Sequence, residues 1–323
     1  MTENQKPKAV VIGGGTGLSV LLRGLKTFPV DITAIVTVAD DGGSSGRLRD
    51  ELDIPPPGDV RNVLTALAEV EPLLESLMEH RFRNGNGLSG HSMGNLMLAA
   101  MTDITGDFVR AIGELSRVLN VRGKVLPAAN HSIVLHAEMT DGTIVKGESK
   151  IPKTNKKIKR VFLSPDDIKA LPESIKAIRQ ADIIILGPGS LYTSILPNLL
   201  VPGIAEEIRR SKAKKVYVCN VMTQQGETEG YTASDHVKAI TDHVGHRLMD
   251  TILVNNAQIP IGHAERYAEE RAEVVHYDEN RLKSFGFRVV SDKIIQYDKE
   301  YIRHDAVKMS RLLLSLLKDK VEQ

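Results

Sequence analysis

The chain reads as an α/β protein, a mostly parallel sheet flanked by helices with a β-rich insertion, on three observations. Short apolar runs rich in β-branched residues alternate with longer segments of helical spacing, a glycine-rich turn closes the first run, and an Asp-Gly pair splits a central stretch in two. Strands buried on both faces show as continuous apolar runs, and their alternation with helices is the pattern of parallel strands joined by crossovers.

The opening unit is the clearest. Ala9-Val10-Val11-Ile12 predicts a buried strand, Gly13-Gly14-Gly15-Thr16-Gly17 a turn, residues 18–25 a helix, and residues 32–38 a second strand. Together they form one βαβ unit of Rossmann-like type. Further buried strands are predicted at 183–186, 215–218 and 251–254, so the sheet draws on both halves of the chain. Residues 133–140 and 143–147 flank Asp141-Gly142, which predicts a tight antiparallel hairpin inside an insertion at about 121–163. The basic stretch 150–160 reads as a solvated loop, with a lid over an anionic ligand as the alternative. Residues 305–317 predict a closing helix, and without repeats or low-complexity linkers residues 1–323 form one domain.

Bulk properties narrow the function. With 42 basic and 41 acidic residues the net charge is +1, which argues against nucleic acid as the main partner but leaves room for a small anion. Cys219 is the single cysteine and sits in an apolar run, so a disulfide framework is excluded and a buried structural thiol is expected. No apolar run reaches the roughly 20 residues of a membrane span, and the first eight residues carry no signal-like segment. The expected location is cytoplasmic.

Two segments carry the chemistry. A strand ending in Gly13, Gly14, Gly15, Thr16 and Gly17 turns sharply, presents bare N–H groups and aims a helix N-terminus at an anion. It misses the dinucleotide fingerprint, because Leu18 stands where the last glycine would fall, and it lacks the Gly-Lys-Ser/Thr ending of a P-loop. The second strand leads to Asp40 and Asp41, a carboxylate pair suited to ribose hydroxyls, to Mg²⁺ or to base catalysis. Gly42, Gly43, Ser44, Ser45 and Arg47 then add N–H groups, hydroxyls and a guanidinium.

Asp59 is expected as the N-cap of a helix that places Arg61 and Asn62 in its first turn, while His91 and Asn95 open another helix. Gly187, Pro188, Gly189, Ser190 and Thr193 repeat the strand-then-glycine-loop arrangement, so two such loops are expected to line one crevice. Asn220 and Asn255 follow later strands with amides suited to a base or sugar. No His/Cys spacing suggests zinc.

These motifs, with Pro57-Gly58-Asp59-Val60-Arg61-Asn62 and the run Cys219 to Thr228, closely resemble the CofD-like proteins, and within them the branch of YvcK-type gluconeogenesis factors, over nearly the whole chain. The resemblance implies a Rossmann-like core with a nucleotide in the crevice. One branch comprises Mg²⁺-dependent transferases that move a phospholactyl group from a guanosine diphosphate donor to a deazaflavin precursor. The other binds UDP-sugars such as UDP-N-acetylglucosamine and serves carbon metabolism, cell shape and wall synthesis during gluconeogenic growth. Tyr267 and Arg303 are the positions similar to that branch's sugar-nucleotide contacts.

The favoured expectation is a UDP-sugar-binding regulatory protein, with an unidentified regulatory protein and a second copy of the chain as expected partners. The alternatives are a transferase using a nucleotide-diphosphate donor with Mg²⁺ on Asp40 and Asp41, and an NAD-binding protein or dehydrogenase. With no Trp and 4% aromatic residues, the chain offers few groups to sandwich a flat acceptor ring.

Overall fold

The computed structural model describes residues 6–259, 271–298 and 301–318. Strands β1 (Lys8–Gly13), β2 (Asp31–Val36) and β3 (Lys124–Pro127) form one wing of a seven-stranded sheet. The other wing holds β7 (Ile183–Leu186), β8 (Lys214–Val218), β9 (Thr251–Asn255) and β10 (Arg288–Asp292), giving the order β10-β9-β8-β7-β1-β2-β3. Every neighbouring pair is parallel. From β1 the chain moves outward to β2 and β3; it then returns to β7 on the other side of β1 and moves outward the opposite way. The order therefore reverses between β1 and β7, where a doubly wound sheet opens a crevice beyond its strand C-termini.

The central strands are apolar because both their faces are covered: all four residues of β7 are buried, as are the last five of β1. Helix α1 (Gly15–Leu25) presents Leu18, Leu21, Leu22 and Leu25 at helical spacing, each fully buried. It packs on α3 (Gly58–Leu67) and on α12 (Ala306–Ser315). Asp305 caps α12 by accepting a hydrogen bond from the Lys308 N–H at 2.9 Å. Helix α7 (Pro172–Gln180) packs against α9 (Ile204–Arg210). Between β2 and β3 run α2 (Gly43–Leu52), α3, α4 (Pro72–Glu79), α5 (Met93–Thr105) and α6 (Phe108–Val118).

The expected β-rich insertion is narrower than 121–163, because β3 belongs to the main sheet. The separate sheet has β4 (Val134–Met139) in the middle, with β5 (Ile144–Lys146) and β6 (Ile158–Ser164) antiparallel on either side. Gly142, at φ +84°, makes the turn, and the Asp141 carboxylate accepts the Thr143 N–H at 3.0 Å. The stretch 150–160 is not one loop: it divides into a 3₁₀ turn, Glu148–Thr154, and the start of β6, with its lysines exposed. A two-stranded ribbon, β11 (Ile295–Asp298) with β12 (Tyr301–His304), leads into α12. Cys219 is buried as expected, and burial pushes its thiol up to about 12. No described helix is long and apolar enough to cross a membrane.

Candidate functional site

The loops after β1 and β7 meet at the reversal point. A Cβ on Gly17 would lie 2.9 Å from the Pro188 carbonyl oxygen, so a side chain there would force the loops apart. The loop after β8 forms a third wall. Asn220 holds Gly189 at both ends, accepting its N–H at 3.2 Å and donating to its carbonyl at 3.0 Å. Gln224 donates from Nε2 to Ser190 Oγ at 2.9 Å. Residues 221–223 are in turn fastened to 273–275 by the Thr223 N–H on the Glu273 carbonyl (2.7 Å) and the Val275 N–H on the Val221 carbonyl (2.8 Å).

Between these walls lies a cleft of about 830 Å³ lined by Gly14 to Gly17, Pro188 to Ser190, Ser194, residues 220–225, Ala272, Ile302 and His304. Among the described residues no carboxylate, lysine or arginine lines it. What it offers is amide, hydroxyl and backbone N–H groups. His304 is neutral at pH 7, since burial lowers its imidazole to about 4, and its Nε2 is buried without a partner.

Carboxylates gather behind the β1 loop. Asp59 Oδ1 accepts the Gly15 N–H at 2.9 Å, taking a backbone donor at the very start of α1. Burial, and then the neighbouring Asp40, raise the Asp59 carboxyl to about 7. Glu148 is pushed up to about 8, first by burial and then by Asp40, Asp59, Glu227 and Asp41. Asp40 accepts the Gly42 N–H and Asp41 the Ser149 N–H, each at 2.8 Å. Burial also raises buried Glu227, which accepts from the Tyr192 N–H at 3.1 Å and Thr193 Oγ1 at 2.8 Å.

The expected pair, Asp40 and Asp41, is thus part of a wider set. Among the described residues no three His, Cys, Asp or Glu side chains have the arrangement to hold a metal. Two of these carboxylates would fit Mg²⁺ only with phosphate oxygens and water completing its shell.

Other predicted residues face inward. Ser44 Oγ lies 3.0 Å from His91 Nδ1 and accepts from Asn95 Nδ2 at 3.1 Å; the same amide reaches Ser45 Oγ at 3.4 Å. Arg61 Nε donates to Asn95 Oδ1 at 3.2 Å, and Arg47 donates to the Ser89 carbonyl at 2.7 Å. These bonds lock α5 to α2 and to α3 and tie α2 to the loop before α5, and none of the side chains lines the cleft. Gly43 is exposed at the start of α2. Gly13 and Gly187 are buried in the strand ends behind the cleft. Asn255 accepts the Ala257 and Ile294 N–H groups at 3.3 and 3.2 Å, closing its own turn.

Asp59 is not the N-cap expected of α3: Pro57 holds that position, and Asp59 lies inside the first turn with its carboxylate directed to Gly15 and Asn62. Arg303 is exposed on β12 between Ile302 and His304, which do line the cleft. Tyr267 lies outside the described residues. Sequence reasoning had singled out neither Glu148, Glu227, Gln224 nor His304 as site residues. Gln224 and Glu227 lie within the run Cys219 to Thr228 that carries the family resemblance, whereas Glu148 has no such signal.

The strand order and the cleft are those of a doubly wound α/β protein with an open crevice at its switch point. The chain belongs to the CofD family: the family described as 2-phospho-L-lactate transferase CofD matches residues 9–295. A gluconeogenesis factor of Halalkalibacterium halodurans is 67% identical over 310 residues, 96% of either chain. The gluconeogenesis factor of Bacillus subtilis (strain 168) is 64% identical over 315 residues, 98% of this chain and 99% of that one. A crystal structure of a UPF0052 family member from Bacillus halodurans superposes with a TM-score of 0.94 at 67% identity, covering 96% of this chain and 100% of the other.

Proposed function

We propose that the cleft binds a nucleotide diphosphate sugar, with UDP-N-acetylglucosamine as its representative, and that occupancy is read by a protein partner in a gluconeogenesis-factor role. The observation that carries this reading is the cleft itself. Its 830 Å³ falls in the usual range of ligand sites, and its walls are neutral hydrogen-bonding groups at a switch point. The first-turn N–H groups of α1 past Gly15, whose own N–H Asp59 holds, suit a diphosphate, and the Asn220 and Gln224 amides, which brace Gly189 and Ser190, keep further donor and acceptor capacity for a sugar or base. The names borne by relatives at 67% and 64% identity support the regulatory role. Binding that favours one conformation transmits only its differential affinity.

Calorimetric titration with UDP-N-acetylglucosamine, GDP and NAD, with and without Mg²⁺, tests the proposal on the parent, Arg303→Ala and Asn220→Ala. The expected result is heat with the UDP-sugar and weakened binding in both variants. Silence with the UDP-sugar, alongside tight binding of GDP or NAD, would reject it.

A second reading, a transferase acting on a nucleotide-diphosphate donor, draws on the carboxylates around Asp59 and on the family's description. It requires Mg²⁺-dependent product with an added acceptor, lost in Asp40→Asn and Asp59→Asn.

A further inference from the structure

A second cavity, of about 580 Å³, lies at the opposite end of the sheet, under the N-termini of β1, β2 and β3. Its floor follows from register. Val10, Thr33 and Lys124 are paired across three adjacent parallel strands, so they share one sheet face, joined by Lys8 and Asp31 one pair below and by Leu126 one pair above. Helix α7 only partly covers that face. It begins beside the C-terminal end of β3, where Ser174 Oγ donates to the Pro127 carbonyl at 3.0 Å. It ends beside the N-terminus of β1, where the Lys8 N–H donates to Asp182 at 2.7 Å. This diagonal course leaves the outer starts of β2 and β3 open, and Thr33 and Leu126 are half-buried rather than sealed.

Lysines from four separate places surround the opening: Lys6 before the sheet, Lys8 on β1, Lys124 on β3 and Lys176 on α7. Among the described residues none of their ammonium groups is held in an ion pair. The cavity also holds Arg122, already engaged by the Phe28 carbonyl at 3.2 Å and by Glu69 at 3.4 Å. Asp31 and Glu173 are its two carboxylates, so cations outnumber anions by five to two. Like charges brought together around a concave, low-dielectric wall raise the local potential and concentrate anions. Val10, Leu126 and Ala177 give the same cavity apolar surface.

We propose that this groove is a second ligand site, which takes a small organic anion with two or more negative charges on a partly apolar body. Its volume suits a small molecule. Its lysines are mobile point charges that accept either carboxylates or phosphates. The site lies at the other end of the sheet from the nucleotide cleft, so two ligands can be held together.

Titration with citrate and with fructose 1,6-bisphosphate tests the proposal and distinguishes the two anion chemistries. The variants are Lys124→Glu/Lys176→Glu, Lys124→Arg/Lys176→Arg and Asn220→Asp, the last placing a negative charge in the other cleft. At least one anion should bind the parent, about tenfold or more weakly to the double glutamate variant, with little change in the arginine and Asn220→Asp variants, and its affinity should fall with salt. Thermal melts of each variant check that it is folded. No binding of either anion, binding untouched by Lys124→Glu/Lys176→Glu, or binding lost only in Asn220→Asp would each overturn the proposal, the last by placing the anion in the nucleotide cleft.

Discussion

Asp59 shows how one side chain ties stability to pH. In an unfolded chain its carboxyl ionises near pH 4, whereas in the fold it holds its proton up to about 7 and Glu148 up to about 8. The folded state therefore binds more protons than the unfolded one between about pH 4 and pH 8, and stability falls as pH rises through that window. Asp59→Asn removes one part of this penalty and keeps an oxygen for the Gly15 N–H. The variant should gain on the order of 1–3 kcal/mol over the parent at pH 8 and almost nothing at pH 4.5. Thermal melts across that range check it: a difference that stays constant with pH would mean Asp59 is already ionised throughout. The sequence made Asp59 visible as a polar residue at a helix start, but only the fold sets it against Asp40 and the first turn of α1.

At the scale of elements, close approach is decided by the absence of a side chain. A Cβ on Gly24 would strike the Ala306 carbonyl and Ser310 Oγ, where α1 and α12 cross. Gly24→Ala should cost about 1–3 kcal/mol by overpacking, despite alanine's better helix propensity. A lowered Tm in calorimetry, with the cleft still able to bind ligand, is the expected outcome. The elements themselves were largely legible. Five predicted strands, at 9–12, 32–38, 183–186, 215–218 and 251–254, overlap β1, β2, β7, β8 and β9, the second running two residues past the end of β2 at Val36. These five could be read because parallel strands buried on both faces must be apolar throughout. The strand β3 escaped because Lys124 is exposed at a sheet edge and the segment is only four residues long. The turn at 148–154 escaped for another reason: its basic residues point to solvent, while Ile151 is fully buried and Ser149 is bound to Asp41.

For the whole molecule, the reversal between β1 and β7 places the larger cleft at the C-terminal ends of the strands. Any ligand that prefers the folded chain stabilises it by mass action, about 2.7 kcal/mol at a free concentration of 100 Kd. UDP-N-acetylglucosamine should therefore raise the Tm in proportion to the logarithm of its concentration, and the rise should shrink in Asn220→Ala; a concentration-independent Tm would count against the cleft as its site. The α/β class, the strand-turn-helix start, the hairpin at Asp141-Gly142 and the two glycine loops are legible in the residues alone, because each is written in local periodicity or in residues that alone permit a backbone shape. What those loops face follows from the folded arrangement of the strands. It placed Gly13 to Gly17 beside Gly187 to Ser190 across roughly 170 residues of chain, turned Ser44, His91, Asn95 and Arg61 inward as fasteners, and brought Glu148 and Glu227 toward Asp59. It also gathered four lysines at the opposite end of the sheet. Such meetings depend on strand order and register, which no local stretch of sequence encodes.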